Sequence, residues 1–312
     1  METSHSGGDR RIDLALQLMR LGQLDGALEQ LRAALAEDPD DGRAHALLAG
    51  VLLDQHRLAA AENESRLALR LDPESPLALH VAARVAIAQR RFELAAEHLE
   101  LLLASHPGDS EAKRWLARVA GLKGRREEQG RLLEAALALD PEDADLLSDL
   151  ADYHLERGQV DEAERWARRA LEIEPGHADS LVSMGFVLLR RKRIEEARDH
   201  AIWALQQDPG DRRALALLVA VKARSSFFLG LWWRWSAFMG SLGDQKAILV
   251  LLGAFVVYRA ALVTADHFEQ DNLAEYLKFL WLGIVAYTWI GAGLFQRALH
   301  RELATVKLRD DF

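Results

Sequence analysis

The sequence predicts an all-α solenoid of helical hairpins followed by a hydrophobic helical tail. Three observations predict it. Six prolines, at 39, 73, 107, 141, 175 and 209, stand 34 residues apart. Small residues keep step with them at fixed offsets. After residue 211 both charge and hydrophobicity change.

The offsets define the hairpin. Ala15, Ala49, Ala83, Ala117, Ala151 and Gly185 stand 24 residues before each proline. One place earlier are Leu14, Leu48, Ala82, Leu116, Leu150 and Met184. Twelve before are Ala27, Ala61, Ala95, Gln129, Ala163 and Ala197, and five before are Ala34, Ala68, Leu102, Ala136, Ala170 and Ala204. Each unit therefore carries two apolar helical stripes separated by a polar turn such as Gly22-Gln-Leu-Asp. Small residues recur where two helices must approach closely. An acidic residue precedes five of the six prolines (His106 is the exception). The proline stops the second helix, because it disfavours helix in the residue before it and has no N–H of its own. One hairpin cannot bury its apolar stripes, but stacked hairpins can.

This pattern resembles the tetratricopeptide repeat, a 34-residue unit with W-x2-L-G-x2-Y, then A-x3-F, then P. The resemblance covers residues 8–211 as six units. The aromatic places depart from it: Arg11, His45, Leu79, Lys113, Leu147 and Leu181 stand where the family often has Trp. The resemblance implies an α-solenoid whose first helices line a groove that binds a protein or peptide. Residues 211–224 read as a capping helix that covers the last apolar face, giving a solenoid domain over 8–224. In the fourth unit Gln129 replaces the packing alanine, and Gly124 and Gly130 interrupt the expected second helix. A flexible joint and a looser hairpin are both open there.

The register singles out one cluster on the first helices. His80 and Arg84 in the third unit occupy the places of Arg114 and Arg118 in the fourth, and each pair is four residues apart, so both side chains face one way. Such a ladder could hold a carboxylate or an acidic peptide. Alternatively, these arginines pair with neighbouring Glu and Asp. The Lys/Asn carboxylate clamp of some family members is not matched, since Leu16, Gly50 and Arg84 stand at the Asn places.

The tail is read as membrane-associated. Over 225–243, Phe228, Trp232 and Trp235 fall on one face of an aromatic amphipathic helix suited to a membrane interface. Two apolar runs, 247–263 and 279–295, predict transmembrane helices over 244–265 and 278–296. Arg259 is the single charge of the first run and is expected to snorkel or to contact a partner. The acidic segment 266–277 between them lacks Lys and Arg, except that Lys278 abuts its end. Basic residues flank the outer ends, so both termini, including the tail 297–312, are expected in the cytoplasm. The N-terminus has no apolar signal-like segment.

Composition bounds the chemistry. No cysteine is present, which removes disulfides, thiol nucleophiles and Cys-ligated zinc. Residues 1–210 hold 27 Lys and Arg against 39 Asp and Glu, whereas 211–312 hold 12 against 9. An acidic front domain is a poor nucleic-acid surface. No phosphate-binding, zinc-protease or serine-hydrolase motif occurs, and the 11 histidines are scattered. No metal or other cofactor is expected, and no catalysis. The expectation is a membrane-anchored adaptor that binds a protein or acidic peptide and touches membrane lipid. Two alternatives remain: a membrane-complex subunit assembled through the hairpin, and an enzyme or transporter component acting through the membrane segment.

Overall fold

The computed structural model describes residues 7–225, 252–264 and 275–283, with residues 242, 249 and 267. Those residues contain helix and no strand. Six hairpins follow one another: α1 (Gly7–Arg20) and α2 (Leu24–Glu37), α3 (Gly42–Asp54) and α4 (Leu58–Leu71), α5 (Pro76–Ala88) and α6 (Phe92–Ser105), α7 (Ser110–Leu122) and α8 (Arg126–Leu137), α9 (Ala144–Glu156) and α10 (Val160–Ile173), α11 (Ala178–Arg190) and α12 (Ile194–Gln207). The cap, α13 (Arg212–Ser225), follows. The chain forms two compact units that meet in sequence at Leu150 and Ala151, inside α9.

Local rules repeat at the 34-residue interval. First helices start on a side chain that accepts a backbone N–H: Asp41 from Ala44 at 3.0 Å, Ser75 from Ala78 at 3.4 Å, Asp109 from Ala112 at 2.8 Å, Asp143 from Leu146 at 3.1 Å. His177 takes that place for α11, accepting from Ser180 N at 3.4 Å. Each such cap satisfies a donor that the first turn leaves free. First helices end in a paired hydrogen bond, as in Arg57 N to Leu52 O at 2.8 Å and His56 N to Leu53 O at 2.9 Å. This Schellman closure needs a residue with positive φ. It falls at Gly22, His56, Arg90, Gly124, Gly158 and Lys192. Three of the six are therefore side chains in a conformation that favours glycine. Arg90→Gly should raise stability by about 1 kcal/mol, read as a higher urea midpoint. An unchanged or lower midpoint would show that Arg90 carries no such strain.

The alanine columns are the contact surface between helices. Ala27, Ala61, Ala95, Ala163 and Ala197 are all fully buried. Helices pack as α1 with α2, then α2 with α3, and so on within each unit; in the first unit α3 also touches α5, and α5 touches α7. First helices thus lie side by side, and each second helix packs on its own first helix and the next one. A polar stitch recurs at the helix ends in one register: Gln55 to Asp25 at 2.9 Å, Lys123 to Glu93 at 3.0 Å, and Arg191 to Asp161. The carboxylates Glu93 and Asp161 are exposed, so solvent screens these ion pairs.

The fourth hairpin resolves the question its sequence left open. Gly124 is the positive-φ residue of the turn and lies outside the second helix. Gly130 is buried within a continuous α8. Gln129 fits because Gly121 faces it: a Cβ built on Gly121 would lie 2.8 Å from the Gln129 amide. Other units have Met19, Leu53, Ile87, Leu155 or Leu189 at the place of Gly121. A large residue on one helix is matched by a missing side chain on its neighbour.

In the second unit the cap is bound by charge as well as by packing. Leu217 and Leu218 of α13 are buried in one cluster with Leu181 and Val187 of α11. Gly185 stands where the other units have alanine, and a Cβ there would lie 2.2 Å from Leu217 Cδ2. Arg213 of α13 pairs with Asp152 of α9 and, at 2.9 Å, with Asp179 of α11. Ser183, fully buried, donates to Asp152 at 2.7 Å. Burial pushes the Asp152 carboxyl above its usual value, against the pull of Arg213 and Ser183.

The tail departs from the expectation of a membrane hairpin. Among the described residues, no helix is long and apolar enough to cross a membrane. An apolar run in sequence is not by itself a span. The two-span membrane placement, with cytoplasmic termini and an intramembrane Arg259, is accordingly corrected. Arg259 is an exposed residue on the helix 252–264. That helix and 275–283 meet through a stack of Tyr258 on Trp281, centroids 4.6 Å apart, and through buried Leu262 against Leu277. Phe228, Trp232 and Trp235, read as an interfacial face, lie outside the described residues, as do most of 266–277 and all beyond 283.

Candidate functional site

The four residues of the predicted ladder converge on a fifth that the register argument passed over. Trp115 of α7 stands between Arg114 and Arg118 in sequence. Three guanidiniums face its ring: Arg118 at 5.2 Å from the centroid, Arg114 at 5.4 Å and Arg84, from α5, at 5.7 Å. The His80 imidazole meets the ring edge-on, 6.2 Å away at 87°. The indole face carries negative potential, so each cation within about 6 Å is attracted to it. The signal was in the register: Asp13, Leu47, Val81, Asp149 and Ser183 fill the place of Trp115 in the other units. An aromatic among those side chains marks the site.

The cluster is charged but not basic in balance. Arg84 donates to Asp54 at 3.0 Å. Arg114, almost fully buried, reaches Asp145 at 3.1 Å and Asp149 at 3.4 Å. His80 Nε2 lies 3.2 Å from Glu111 Oε1, and Trp115 Nε1 donates to the same oxygen at 3.3 Å. The hydrogen bond from His80 is the chief reason that the Glu111 carboxyl is held down at about 2, with Trp115 and Arg114 adding to it against burial. Burial disfavours the charged form of Arg114, but Asp145, Asp149, Asp143 and Glu111 outweigh it and raise its pKa. Of the two sequence alternatives for the ladder, pairing with neighbouring carboxylates is seen at three residues. Arg84, Arg114 and His80 have carboxylate neighbours. Arg118 is exposed, and among the described residues no carboxylate pairs with it.

No group of His, Asp and Glu among the described residues could hold a metal ion.

Comparison with known proteins bears on the repeats. The family profile described as tetratricopeptide repeat matches residues 12–76 and 80–130. Over those residues the repeats match as tetratricopeptide repeats. A second profile, for the middle tetratricopeptide-like domain of cilia and flagella-associated protein 70, matches residues 116–260. A comparison with curated proteins finds no match. Among solved structures, a tetratricopeptide-repeat protein of Thermus thermophilus is 26% identical, with a TM-score of 0.56, over 59% of this chain and all of that one. PilW, a type IV pilus biogenesis factor, is 18% identical with a TM-score of 0.55, over 69% of this chain and all of that one. PilF of Pseudomonas aeruginosa is 22% identical with a TM-score of 0.51, over 67% of this chain and 95% of that one. The last two show a shared fold alone.

Proposed function

We propose that this tetratricopeptide-repeat chain is a protein-interaction scaffold without catalytic activity, whose first unit binds a peptide segment on the first helices at Trp115. The observation that carries the reading is Arg118, an exposed guanidinium laid on an indole and, among the described residues, left without a carboxylate. Trp and Arg are the side chains that most often dominate a binding surface. The indole offers a flat apolar platform, and Arg118 offers a charged donor beside it. Arg84 and Arg114 have the different job of holding the indole in place while their charge is met by Asp54, Asp145 and Asp149. Four carboxylates around the platform would repel a run of acidic residues. The peptide that fits carries one carboxylate among neutral or basic neighbours, a narrower partner than the acidic peptide suggested by sequence.

An array of acetylated 15-residue peptides of varied charge, probed with the purified chain, tests this. Trp115→Ala should weaken capture about 30-fold, and Arg118→Glu should weaken it selectively for peptides with a single acidic residue. If both variants retain the capture pattern and strength of the parent, the platform is not the site.

A further inference from the structure

The third repeat has a hollow in its surface. It lies on the side of the second helices, between α4 and α6 and over α5, and shares no residue with the Trp115 cluster. Its volume is about 240 Å3, and Leu69, Val85 and Leu94 supply much of its apolar wall. Three small side chains line it, Ser65, Ala82 and Ala86. Ala82 stands where the other units have Leu14, Leu48, Leu116, Leu150 and Met184. Ala86 shares its column with Leu18, Leu52, Ala120, His154 and Leu188, and Ser65 with Leu31, Leu99, Leu133, Ala167 and Ala201, so small residues recur at those two places. The truncation at Ala82 removes most of a leucine side chain, and packed surroundings close only partly over such a loss.

Its chemistry is that of an apolar slot with a cationic lip. His98, half buried in the wall, makes no hydrogen bond among the described residues, and burial holds its imidazole below the usual range. The wall is therefore uncharged at neutral pH. At the lip, Glu62 lies 2.9 Å from Arg91 and 3.8 Å from Arg66, and accepts from Gln89 at 2.8 Å. One carboxylate serves two guanidiniums, each more than half exposed.

We propose that this cleft docks a single leucine- or phenylalanine-sized side chain of a partner peptide that carries a carboxylate in the adjoining residue. The apolar side chain fills the space left open beside Ala82, and the carboxylate completes the pairing of Arg66 and Arg91. The site stands apart from the Trp115 platform and does not depend on it.

The test uses the full chain with methyl labels on Ala, Leu and Val, titrated with three peptides. Acetyl-Gly-Phe-Asp-Gly-amide should move the methyls of Leu69, Val85 and Leu94 saturably. Acetyl-Gly-Ala-Asp-Gly-amide should bind at least tenfold more weakly, since it leaves the slot empty. Acetyl-Gly-Phe-Asn-Gly-amide should bind about threefold more weakly, as expected for one exposed ion pair. Ala82→Leu restores the residue of the sibling repeats; it should keep or raise the thermal midpoint and abolish the shifts. Ser65→Leu carries the same test if the midpoint of the first variant falls. Absence of saturable shifts at these methyls, equal binding of the alanine peptide, or undiminished binding by a folded, filled variant overturns the site. Equal binding of the asparagine peptide overturns the role of the two arginines.

Discussion

Replacing Arg213 by alanine should lower stability by about 2–3 kcal/mol at neutral pH, and by markedly less near pH 4. Arg213 bridges the cap α13 to α9 and α11, and it is the cation beside the partly buried Asp152. A carboxyl whose folded pKa lies above its ordinary 3.8 holds its proton more tightly when folded. The stability it contributes is fully present below 3.8 and is lost as pH rises through the folded value. Arg213 limits that loss by favouring the ionised form. Without it the Asp152 pKa rises further, and the cost at neutral pH grows. Urea unfolding of the parent and variant at pH 7 and pH 4 measures the difference. Adding Asp152→Asn should recover much of the loss at pH 7, because the amide oxygen still accepts from Ser183 and no charge is left buried. A penalty independent of pH, with no recovery in the double variant, would mean that Arg213 acts through its packing alone.

The second large effect concerns Gly185 and Leu217. Leu217→Ala should cost about 3 kcal/mol, since a fully buried leucine is lost from a packed cluster. Gly185→Ala should cost about 2 kcal/mol in the parent. Alanine improves helix propensity by about 1 kcal/mol, but its Cβ would sit 2.2 Å from Leu217 Cδ2 and 3.2 Å from Cδ1, so the whole leucine must move. In the Leu217→Ala background the same Gly185→Ala change should become neutral or stabilising, because the added methyl enters space already vacated. The sign change between backgrounds, read from denaturant midpoints, is the discriminating result. Equal effects in both would show that the two residues do not compete for space.

Much of the fold was legible in sequence because a repeat states each rule six times. The prolines, the alanine columns and the cap at 211–224 all point to one architecture, and the structure places α13 as read. The fourth hairpin was misread at Gly124, because glycine in a turn and glycine inside a helix look alike until the register of positive φ is known. Once Gly22 and Gly158 are seen in the same column, the turn is evident. The candidate site was half legible. The spacing of His80, Arg84, Arg114 and Arg118 gave their common direction. It could not give their partners, which come from α3 and α9 through Asp54, Asp145 and Asp149. Trp115 was overlooked because the search followed charge and not the odd member of a column. The tail was read by hydropathy alone, and among the described residues no helix is long and apolar enough to cross a membrane.

The pair Gly185 and Leu217 also fixes how the array can grow. Duplicating any of the first five repeats ahead of α13 would set an alanine beneath Leu217, where Gly185 now leaves room. A sixth repeat that keeps Gly185 seats the cap without that cost, so lengthening by unequal crossing-over is less costly upstream of this junction than at it.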